Sequence, residues 1–503
     1  MTRICLCLTG KTIASDLELL NKYRDYIDVA ELRVDHLNAD ERFYIRRFPE
    51  LAGLPVILTI RRKIDGGLFE LSESSRVTLL SQGLAYAKPD KRCNFAYVDL
   101  EEDINIPSLE EVARAFDTRI IRSFHNLKST DPNIISRIRA MSHVGDEILK
   151  AAVTPTCLDD VTKVFSAAKE LKDCEKIIIS MGDMGVCTRI LANKIGSYLT
   201  YTAPRNELNF PGPAQGQLDP KELSEVFRFK KIDDKTAIYG ITGYPLQATA
   251  SPQFFNSVFA RTNRNAVYLR FPADSIRSFI QLADELNMFG ASVTIPHKET
   301  LLDYLTTTSD EVKNVGACNT IVRSKNGWSG YNADTTGFSS SLLNFIGKNS
   351  FKGMRVTMIG AGGAARAVAA ELFRLKAKVI ILNRNINRAE ELAQKYKFEF
   401  NTISDDGIKR MNKYSDIIIQ TTSVGMEPNI ENDPLLQYRF TGKEIVMDII
   451  YKPAKTHFLN RAAAAGCRII NGYDMFMRQA KMQYYYFTGE NYPEDDNKAK
   501  TPE

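Results

Sequence analysis

The sequence lacks any apolar run near the roughly 20 residues that a helix needs to cross a bilayer. Its N-terminus also lacks a charged leader followed by an apolar block and a cleavage site. These absences argue against a membrane-spanning protein and against a secretory signal. We therefore expect a cytoplasmic protein.

Paired cysteines and an excess of one charge are also missing. Eight cysteines are scattered over 503 residues without the spacing, or the neighbouring histidines, of a zinc site. We interpret them as reduced thiols and expect no metal. Lys and Arg number 66 against 61 acidic residues, a net charge of +5. This balance predicts no nucleic-acid or membrane surface, so any anion-binding site is local.

The most informative segment is 356–366, where an apolar strand runs into a glycine-rich turn and then a helix. Glycines let the backbone approach a pyrophosphate, and the helix presents unpaired N–H groups to it. A second strand, 378–382, follows at the βαβ spacing and is followed by arginines. Arginines where an acidic residue would hold a ribose hydroxyl favour NADP over NAD. The predicted cofactor-binding residues here are Gly360, Ala361, Gly362, Gly363, Ala364, Asn383, Arg384 and Arg388. An empty glycine turn beside surface arginines is the alternative.

The first part of the chain alternates short β-rich runs with amphipathic stretches. The predicted strands are 3–9, 30–34, 56–61, 95–100, 119–124, 147–153, 176–181 and 198–203. Eight βα units in about 230 residues predict a (β/α)₈ TIM barrel, whose functional groups lie at the C-terminal face.

A charged segment at 228–235 interrupts this alternation, and a Gly/Asn/Lys/Ser-containing stretch at 344–353 divides the rest. The chain is thus predicted to be α/β throughout, with a barrel followed by a two-lobed dehydrogenase and a cleft between its lobes. The predicted limits are 1–228 for the barrel, 236–345 for a substrate-binding domain, 346–490 for a Rossmann domain with a returning C-terminal helix, and 491–503 for a disordered tail.

Charged residues occur on the predicted barrel strands, where both faces are normally buried. Glu31, Arg33 and Asp35 alternate along one strand and so point the same way. An ion pair at the barrel rim is the alternative explanation. Further polar residues at or beyond strand ends can converge on the C-terminal face, namely Arg61, His125, Lys150, Arg189 and Gln217.

Lys150 and His125 are the predicted catalytic residues of the barrel. Burial and nearby cations disfavour the charged form of a lysine and leave a neutral amine that can attack a ketone. His125 is the one of five histidines that closes a barrel strand at the required end, so we predict that it moves protons. A rim lysine in a salt bridge is the alternative for Lys150.

Six segments of the barrel resemble type I 3-dehydroquinate dehydratase: ELRVD at 31–35, TIRRKIDGG at 59–67, SFHN at 123–126, LKAAV at 149–153, SMGDMGVCTR at 180–189 and PAQGQ at 213–217. The resemblance implies that Lys150 forms a Schiff base with the substrate ketone, while His125 removes the neighbouring proton and helps water leave. It assigns substrate binding to Glu31, Arg33, Arg61, Arg189 and Gln217. Asp65 stands where the family has a glutamate that supports the histidine, and Pro213 replaces a serine of the closing loop.

Lys298 and Asp334 are the predicted catalytic pair of the second half. Lys298 lies at a strand-to-helix turn, and Asp334 lies in a Gly/Asn-rich loop. A lysine and a carboxylate in contact can exchange a proton with a reacting hydroxyl while a hydride moves to or from nicotinamide. As an isolated pair they could equally form a surface ion pair.

The second half resembles shikimate dehydrogenase in TGYPLQATASP at 242–252, SVTIPHKE at 292–299, GACNTI at 316–321, GYNADTTGF at 330–338, QTTSVGM at 420–426, MDIIYKP at 447–453 and GYDMFMRQA at 472–480. The resemblance implies catalysis by Lys298 and Asp334. It assigns the substrate to Thr249, Ser251, Thr294, Asn319 and Gln479, and adds Thr422 and Gly472 to the cofactor site. Thr249 replaces a serine, Ala248 a histidine, Ser292 an asparagine and Ala333 a threonine.

Together, the two resemblances imply a bifunctional enzyme of the shikimate route to aromatic compounds. It would convert 3-dehydroquinate to 3-dehydroshikimate and then reduce that product to shikimate with NADPH. A catabolic, NAD-dependent quinate or shikimate dehydrogenase is one alternative, against which Arg384 and Arg388 count. A metabolite-sensing regulator built from the same domains is the other.

Overall fold

The computed structural model of the protein describes residues 1–85, 88–205, 214–246 and 249–494. The chain forms two compact units, one made of Met1–Gly240 with Phe255–Met288 and the other of Ile241–Phe254 with Phe289–Glu503. The predicted domain limits stay a prediction. Pro213 and Ala248, and residues 495–503 of the predicted tail, lie outside the described residues.

Eight parallel strands form a nearly closed barrel in the first unit. They are β1 (Arg3–Leu8), β2 (Val29–Arg33), β3 (Val56–Thr59), β4 (Tyr97–Glu101), β5 (Arg119–Asn126), β6 (Ile148–Val153), β7 (Lys176–Ser180) and β8 (Leu199–Thr202). Their order is β7-β6-β5-β4-β3-β2-β1-β8, and a parallel bridge between Lys176 and Ser197 brings β7 beside the start of β8. All eight strands predicted from the sequence are therefore confirmed.

Helices alternate with these strands. They are α1 (Ile13–Tyr23), α2 (Phe48–Ala52), α3 (Glu73–Leu84), α4 (Pro107–Ala115), α5 (Ile134–Ala140), α6 (Leu158–Glu170), α7 (Gly182–Ile190) and α8 (Pro220–Glu225). Thr12 caps α1 in a capping box with Ser15, and Ser72 caps α3 by accepting from the N–H of Ser75. The barrel interior is filled by inward residues such as Cys5, Val29 and Ile121. This packing leaves the cavity at the ends of the strands.

One sequence prediction about the barrel is wrong in detail. Asp35 does not lie on the strand with Glu31 and Arg33, because β2 ends at Arg33 and the chain turns into a 3₁₀ helix over Val34–His36. This turn brings the carboxylate of Asp35 back to the guanidinium of Arg33, at 2.9 and 2.8 Å. The alternation of charged residues at every second position therefore did not show that β2 ends at Arg33.

The next stretch of chain contains six strands and four helices. The strands are β9 (Ala237–Gly243), β10 (Ala266–Pro272), β11 (Gly290–Val293), β12 (Thr307–Thr308), β13 (Thr320–Ser324) and β14 (Gly327–Tyr331), and the helices are α9 (Ser251–Arg261), α10 (Ile276–Glu285), α11 (Asp310–Val315) and α12 (Asp334–Ile346). In the second unit, β13 runs antiparallel to β11 and to β14, and β12 runs parallel to β14.

A six-stranded parallel sheet follows, as a Rossmann fold requires. Its strands are β15 (Arg355–Ile359), β16 (Lys378–Leu382), β17 (Glu399–Asn401), β18 (Ile417–Gln420), β19 (Ile445–Asp448) and β20 (Arg468–Ile470), in the order β17-β16-β15-β18-β19-β20. Its helices are α13 (Gly363–Arg374), α14 (Ile386–Tyr396), α15 (Asp405–Met411), α16 (His457–Ala464) and α17 (Tyr473–Thr488). The strand order reverses between β15 and β18, where such sheets bind ligands.

The last helix, α17, packs against α12 within the second unit. Its side chains reach β13, because the amide of Gln483 donates to Oγ1 of Thr320 at 2.9 Å. Beyond the helix, Tyr492 stacks on Phe254 with ring centroids 5.2 Å apart. The described start of the predicted tail thus makes a packing contact.

Candidate active sites

The barrel contains a cavity of about 290 Å³ at the C-terminal ends of its strands. Every residue predicted for this site lines it, namely Glu31, Arg33, Arg61, Asp65, His125, Lys150, Arg189 and Gln217. The convergence follows from the fold, since parallel barrel strands all present their C-terminal ends to one face.

Lys150 lies on β6 with 4% of its surface exposed, and its Nζ donates to Oδ2 of Asp99 at 2.8 Å. Asp99 also binds the guanidinium of Arg61 at 2.8 Å and accepts from Oγ of Ser123 at 2.6 Å. Burial raises the pKa of Asp99, but the charges of Arg61 and Lys150 outweigh this and hold it well below its usual range. Asp99 is therefore a carboxylate. Lys150 therefore has an anion beside it as well as the cations predicted from the sequence, and Asp99 was not among the predicted site residues.

His125 is at the end of β5, and its buried Nδ1 has no hydrogen-bond partner among the described residues. Burial lowers the pKa of His125 well below 6.5, and the positive charges of Arg61 and Lys150 lower it further. The imidazole is therefore neutral near pH 7, the form that accepts a proton.

The arginines of the cavity differ in their partners. Arg33 binds Asp35, and Arg61 binds Asp99 and Glu101. Arg189 is 2% exposed and makes no ion pair within the described parts of the chain, and its Nη1 donates to the carbonyl of Tyr201 at 3.4 Å. Burial lowers the pKa of Arg189 to about 10. The cavity therefore holds one desolvated cation without an acidic partner, a site suited to an anion.

Asp65 lines the cavity but makes no hydrogen bond to His125. Its Oδ2 accepts from Nε of Arg62 at 2.7 Å, and the other end of the same guanidinium binds Asp103 through two bonds of 2.9 Å. The structure thus pairs the carboxylate predicted to support the histidine with a neighbouring arginine. That Asp65 supports His125 stays a prediction.

A second cavity, of about 280 Å³, lies in the second unit. The predicted residues Thr249, Ser251, Thr294, Lys298, Asn319, Asp334, Ala364, Thr422, Gly472 and Gln479 all line it. Nζ of Lys298 donates to Oδ2 of Asp334 at 2.6 Å, and both side chains are about nine-tenths buried. Lys298 follows β11 and Asp334 begins α12, so two elements hold the pair. Because Lys298 and Asp334 are buried in a cavity, the alternative that they form a surface ion pair is disfavoured.

Polar side chains around this pair are hydrogen-bonded to one another. Oγ1 of Thr249 donates to Oγ of Ser251 at 3.1 Å, and Nδ2 of Asn319 donates to Oε1 of Gln479 at 3.4 Å. Gln483, one helical turn after Gln479, accepts from Oγ of Ser292 at 2.8 Å. Both residues line the cavity. The resemblance named Ser292 as a replacement for an asparagine of this pocket, whereas Gln483 was not predicted, although its four-residue spacing from Gln479 places it on the same face of α17.

The glycine turn at the end of β15 has the backbone that a bound phosphate needs. Gly360 has φ +112°, and a Cβ there would lie 2.5 Å from Oγ1 of Thr421. Gly362 is the N-cap of α13, with open space around its Cα. Neighbouring β16 leads to Asn383, whose amide donates to the carbonyl of Asn385 at 2.8 Å. The residues present therefore fit a dinucleotide.

Arg384 and Arg388 follow β16 and are exposed, and neither makes an ion pair among the described residues. Arg366, by contrast, binds Glu299 at 3.0 Å and Glu391 at 2.9 Å. Unpaired guanidinium groups near the ribose position are available to a 2′-phosphate.

Three family models match this chain. The type I 3-dehydroquinase family model matches residues 4–234, the shikimate dehydrogenase substrate binding domain matches residues 241–321, and the shikimate / quinate 5-dehydrogenase model matches residues 344–450. A shikimate dehydrogenase (NADP(+)) of Caldanaerobacter subterraneus subsp. tengcongensis is 35% identical over 271 residues, which are 53% of this chain and 96% of the relative. The chain belongs to the shikimate dehydrogenase family and begins with a type I 3-dehydroquinase domain.

The same fusion occurs in other proteins. The bifunctional 3-dehydroquinate dehydratase/shikimate dehydrogenase, chloroplastic, of Arabidopsis thaliana is 29% identical over 498 residues, which are 93% of this chain and 79% of that protein. A solved structure of dehydroquinate dehydratase and shikimate dehydrogenase from S. pombe AroM covers 98% of this chain and 97% of that chain, with 22% identity and a TM-score of 0.43.

The family of this shikimate dehydrogenase fusion does not fix its location in the cell. None of the helices in the described ranges is long and apolar enough to cross a membrane. The name of the Arabidopsis relative includes the word chloroplastic, so a cytoplasmic location stays a prediction.

One cluster outside both sites has ligand-type side chains. Glu110, His143 and Glu147 lie close enough together to hold an ion. The fully buried guanidinium of Arg122 already binds both carboxylates, at 2.6 Å each, and His143 Nδ1 lies 3.1 Å from Glu110. Arg114 also lies 3.3 Å from Glu110, so two arginines offset the two carboxylates and the cluster is an ion-pair network.

Proposed function

We propose that the barrel dehydrates 3-dehydroquinate to 3-dehydroshikimate and that the second unit reduces 3-dehydroshikimate to shikimate with NADPH. The observation that carries the first reaction is the pairing of a buried lysine and a buried, partnerless arginine in one cavity, Lys150 and Arg189. A substrate with a ketone and a carboxylate satisfies both.

Lys150 provides the covalent attachment. The ammonium first gives one proton to the neutral imidazole of His125, which lines the same cavity, and the free amine then bonds to the ketone carbon. A second proton passes from nitrogen to the ketone oxygen, and His125 returns the first proton to that oxygen, which leaves as water. The nitrogen carries the positive charge of the iminium, and His125 is neutral again. Asp99 stays beside this nitrogen and balances the charge, since it contacts Nζ at 2.8 Å. The positive iminium withdraws electrons and makes the protons on the adjacent carbon acidic.

His125 then acts as the base. Its neutral imidazole removes the proton next to the iminium carbon, the electron pair passes toward nitrogen, and the same proton is returned to the departing hydroxyl, which leaves as water. Water then hydrolyses the iminium and frees Lys150. The lowered pKa of His125 keeps the imidazole in the form that starts this sequence.

The substrate carboxylate binds Arg189, which has no competing acid in the described chain. Glu31, Arg33, Arg61 and Gln217 bind the hydroxyl groups. Glu31 is well placed for this, because its carboxylate already accepts from Oγ1 of Thr59 at 2.9 Å and from the thiol of Cys7 at 3.0 Å and is thereby fixed.

In the second unit, Lys298 and Asp334 hold and transfer the proton of the reacting oxygen. The ammonium of Lys298 donates a proton to the carbonyl oxygen as it becomes a hydroxyl, and Asp334 keeps the lysine aligned through their 2.6 Å bond. Bound NADPH supplies the hydride. Thr249, Ser251, Thr294, Asn319 and Gln479 hold the substrate hydroxyls and carboxylate.

The cofactor would be held by the turn Gly360–Ala364, by Asn383, Thr422 and Gly472, and by the two arginines. The N–H groups at the start of α13 would hold the pyrophosphate, and Arg384 and Arg388 would hold the 2′-phosphate. The NAD-dependent alternative is disfavoured because these two guanidinium groups lack protein partners among the described residues.

Borohydride trapping tests the dehydratase half. Incubation of the full chain with 3-dehydroshikimate and sodium borohydride should give a reduced adduct on the peptide that contains Lys150, detected by mass spectrometry. Lys176→Ala is the matched control, because Lys176 is also a buried barrel-strand lysine but donates to the carbonyl of Leu171 outside the cavity. An adduct that persists in Lys150→Ala, or disappears in Lys176→Ala, contradicts the assignment.

A further inference from the structure

Tyr201 is a feature of the barrel cavity that neither resemblance assigns. It lies on β8, is 4% exposed and lines the cavity with Lys150 and His125. Its hydroxyl oxygen is buried and has no hydrogen-bond partner among the described residues. A buried hydroxyl without a partner is unfavourable, so its presence in a cavity indicates a partner that arrives with the ligand.

The aromatic ring of Tyr201 also contacts the reacting nitrogen. Nζ of Lys150 lies 4.3 Å from the centre of this ring, within the range of a cation–π interaction. Asp99 holds the same nitrogen from another side at 2.8 Å. The nitrogen carries a positive charge both as the ammonium and as the iminium, whereas the tetrahedral adduct between them is neutral at nitrogen. The ring therefore favours collapse of this adduct to the iminium.

The hydroxyl of Tyr201 remains a donor throughout. Burial raises its pKa well above the ordinary value, and the negative charges of Glu31 and Asp99 raise it further. The phenol is consequently protonated at any pH at which the enzyme works. Other buried polar atoms in this cavity are in the same situation, namely Nδ1 of His125, Nε of Arg189 and Oε1 of Gln217. A single bound polyhydroxylated acid would supply partners to this set.

We propose that Tyr201 is a catalytic residue of the dehydratase, which contacts the Lys150 adduct through its ring and donates its hydroxyl to an oxygen of the bound substrate. The proposal rests on the dehydratase function proposed above. The hydroxyl of Tyr201 would also replace the serine hydroxyl that the family resemblance expects at position 213, where this chain has proline.

Two substitutions separate the ring from the hydroxyl. Tyr201→Phe keeps the ring and should lower dehydratase kcat/KM by about 10-fold, the loss expected for one buried hydrogen bond. Tyr201→Leu removes both groups and should lower kcat/KM by about 100-fold, with most of the additional loss in kcat. Adduct formation on Lys150 should be slower in Tyr201→Leu than in Tyr201→Phe under single-turnover trapping.

Tyr97→Phe is the matched control. Tyr97 is another buried barrel tyrosine, but its hydroxyl pairs with that of Tyr198 at 2.8 Å and it does not line the cavity. Its substitution should leave kcat/KM within about 2-fold of the wild type. Because the dehydrogenase site lies in the other compact unit, the folding of the barrel is checked by the thermal midpoint and the circular dichroism spectrum of each variant.

The outcomes are distinct. If Tyr201→Phe matches Tyr97→Phe in kcat/KM, the hydroxyl makes no contact with substrate and the proposal is overturned. Equal activities of Tyr201→Leu and Tyr201→Phe would overturn the role of the ring. A lowered thermal midpoint of the barrel in Tyr201→Leu, together with the loss of dehydratase activity, would indicate a structural role instead. Failure of the dehydratase function itself looks different, because the wild type would then form no borohydride-trapped adduct.

Discussion

The carboxylate of Asp65 is bound to Nε of Arg62 at 2.7 Å and makes no hydrogen bond to His125. Arg62 is itself fixed by two bonds to Asp103, so the pair is held at the edge of the barrel cavity. The pKa of His125 is consequently set by burial and by the charges of Arg61 and Lys150, which lower it, and not by a hydrogen bond from Asp65.

We therefore expect Asp65→Ala to lower dehydratase kcat by no more than about 5-fold, since it removes one partly exposed ion pair worth ~1 kcal/mol. Steady-state rates with 3-dehydroquinate measure this. A fall of two orders of magnitude would show that Asp65 supports His125 during the reaction after all.

Asp99 should matter far more. Asp99→Asn removes the negative charge shared by Lys150 and Arg61 while it keeps the size of the side chain. Loss of one charge from a buried network costs about 3 kcal/mol, so we expect a decrease of about 100-fold in kcat/KM of the dehydratase. Asp103→Asn is the control, because Asp103 is exposed and binds Arg62. Equal effects of the two substitutions would contradict this role for Asp99.

The pH dependence of the dehydratase follows from the lowered pKa of His125. The neutral imidazole is the active base, and activity is lost as the pH falls through the lowered pKa. The acid limb of kcat/KM should therefore lie below pH 6.5, the ordinary histidine value. Circular dichroism spectra in the same buffers control for unfolding of the barrel. An acid limb above pH 6.5 would contradict the electrostatic account of the cavity.

Arg189 should show opposite effects on activity and on stability. Arg189→Met removes the buried cation without an acidic partner, so KM for 3-dehydroquinate should rise by about 100-fold, or ~3 kcal/mol, while the thermal midpoint stays equal or rises. Arg33→Met is the comparison for stability, because it leaves the buried carboxylate of Asp35 without its arginine and should lower the midpoint. A large loss of stability in Arg189→Met would imply that Arg189 has a structural partner.

Cofactor selection should depend on the two exposed arginines after β16. The double variant Arg384→Ala/Arg388→Ala should raise KM for NADPH by about 100-fold and leave KM for NADH nearly unchanged, because only the 2′-phosphate contact is lost. Arg374→Ala, which removes an exposed arginine paired with Glu371, is the control. A similar rise in both KM values would contradict a 2′-phosphate site.

The sequence predicted the barrel and the positions of its strands because each strand is a short β-rich run between amphipathic helices. The predicted barrel residues line one cavity because parallel barrel strands present their C-terminal ends to one face. The residues of the second cavity were implied by the family resemblance and not by strand ends, and the roles of both sets stay predictions. Asp99 was missed although it alternates with Glu101 on β4, the same pattern that drew attention to Glu31 and Arg33. The alternation of charged residues on β4 would therefore have indicated Asp99.

Other features could not be read from the sequence. The choice between Arg62 and His125 as the partner of Asp65 depends on the 3₁₀ turn over Lys63–Asp65, which has no distinctive composition. Two further features belong to the packed cavity: Arg189 has no acidic partner, and the hydroxyl of Tyr201 has no hydrogen-bond partner, among the described residues. They depend on which side chains from other strands come within hydrogen-bond distance.

We propose that one chain carries out two consecutive reactions at two separate lysines, Lys150 and Lys298. The most direct test supplies 3-dehydroquinate and NADPH and follows cofactor oxidation in the wild type, Lys150→Ala and Lys298→Ala. Both substitutions should abolish the coupled reaction, and added 3-dehydroshikimate should restore it in Lys150→Ala but not in Lys298→Ala. Normal coupled turnover by either variant, or no turnover by the wild type, would contradict the account.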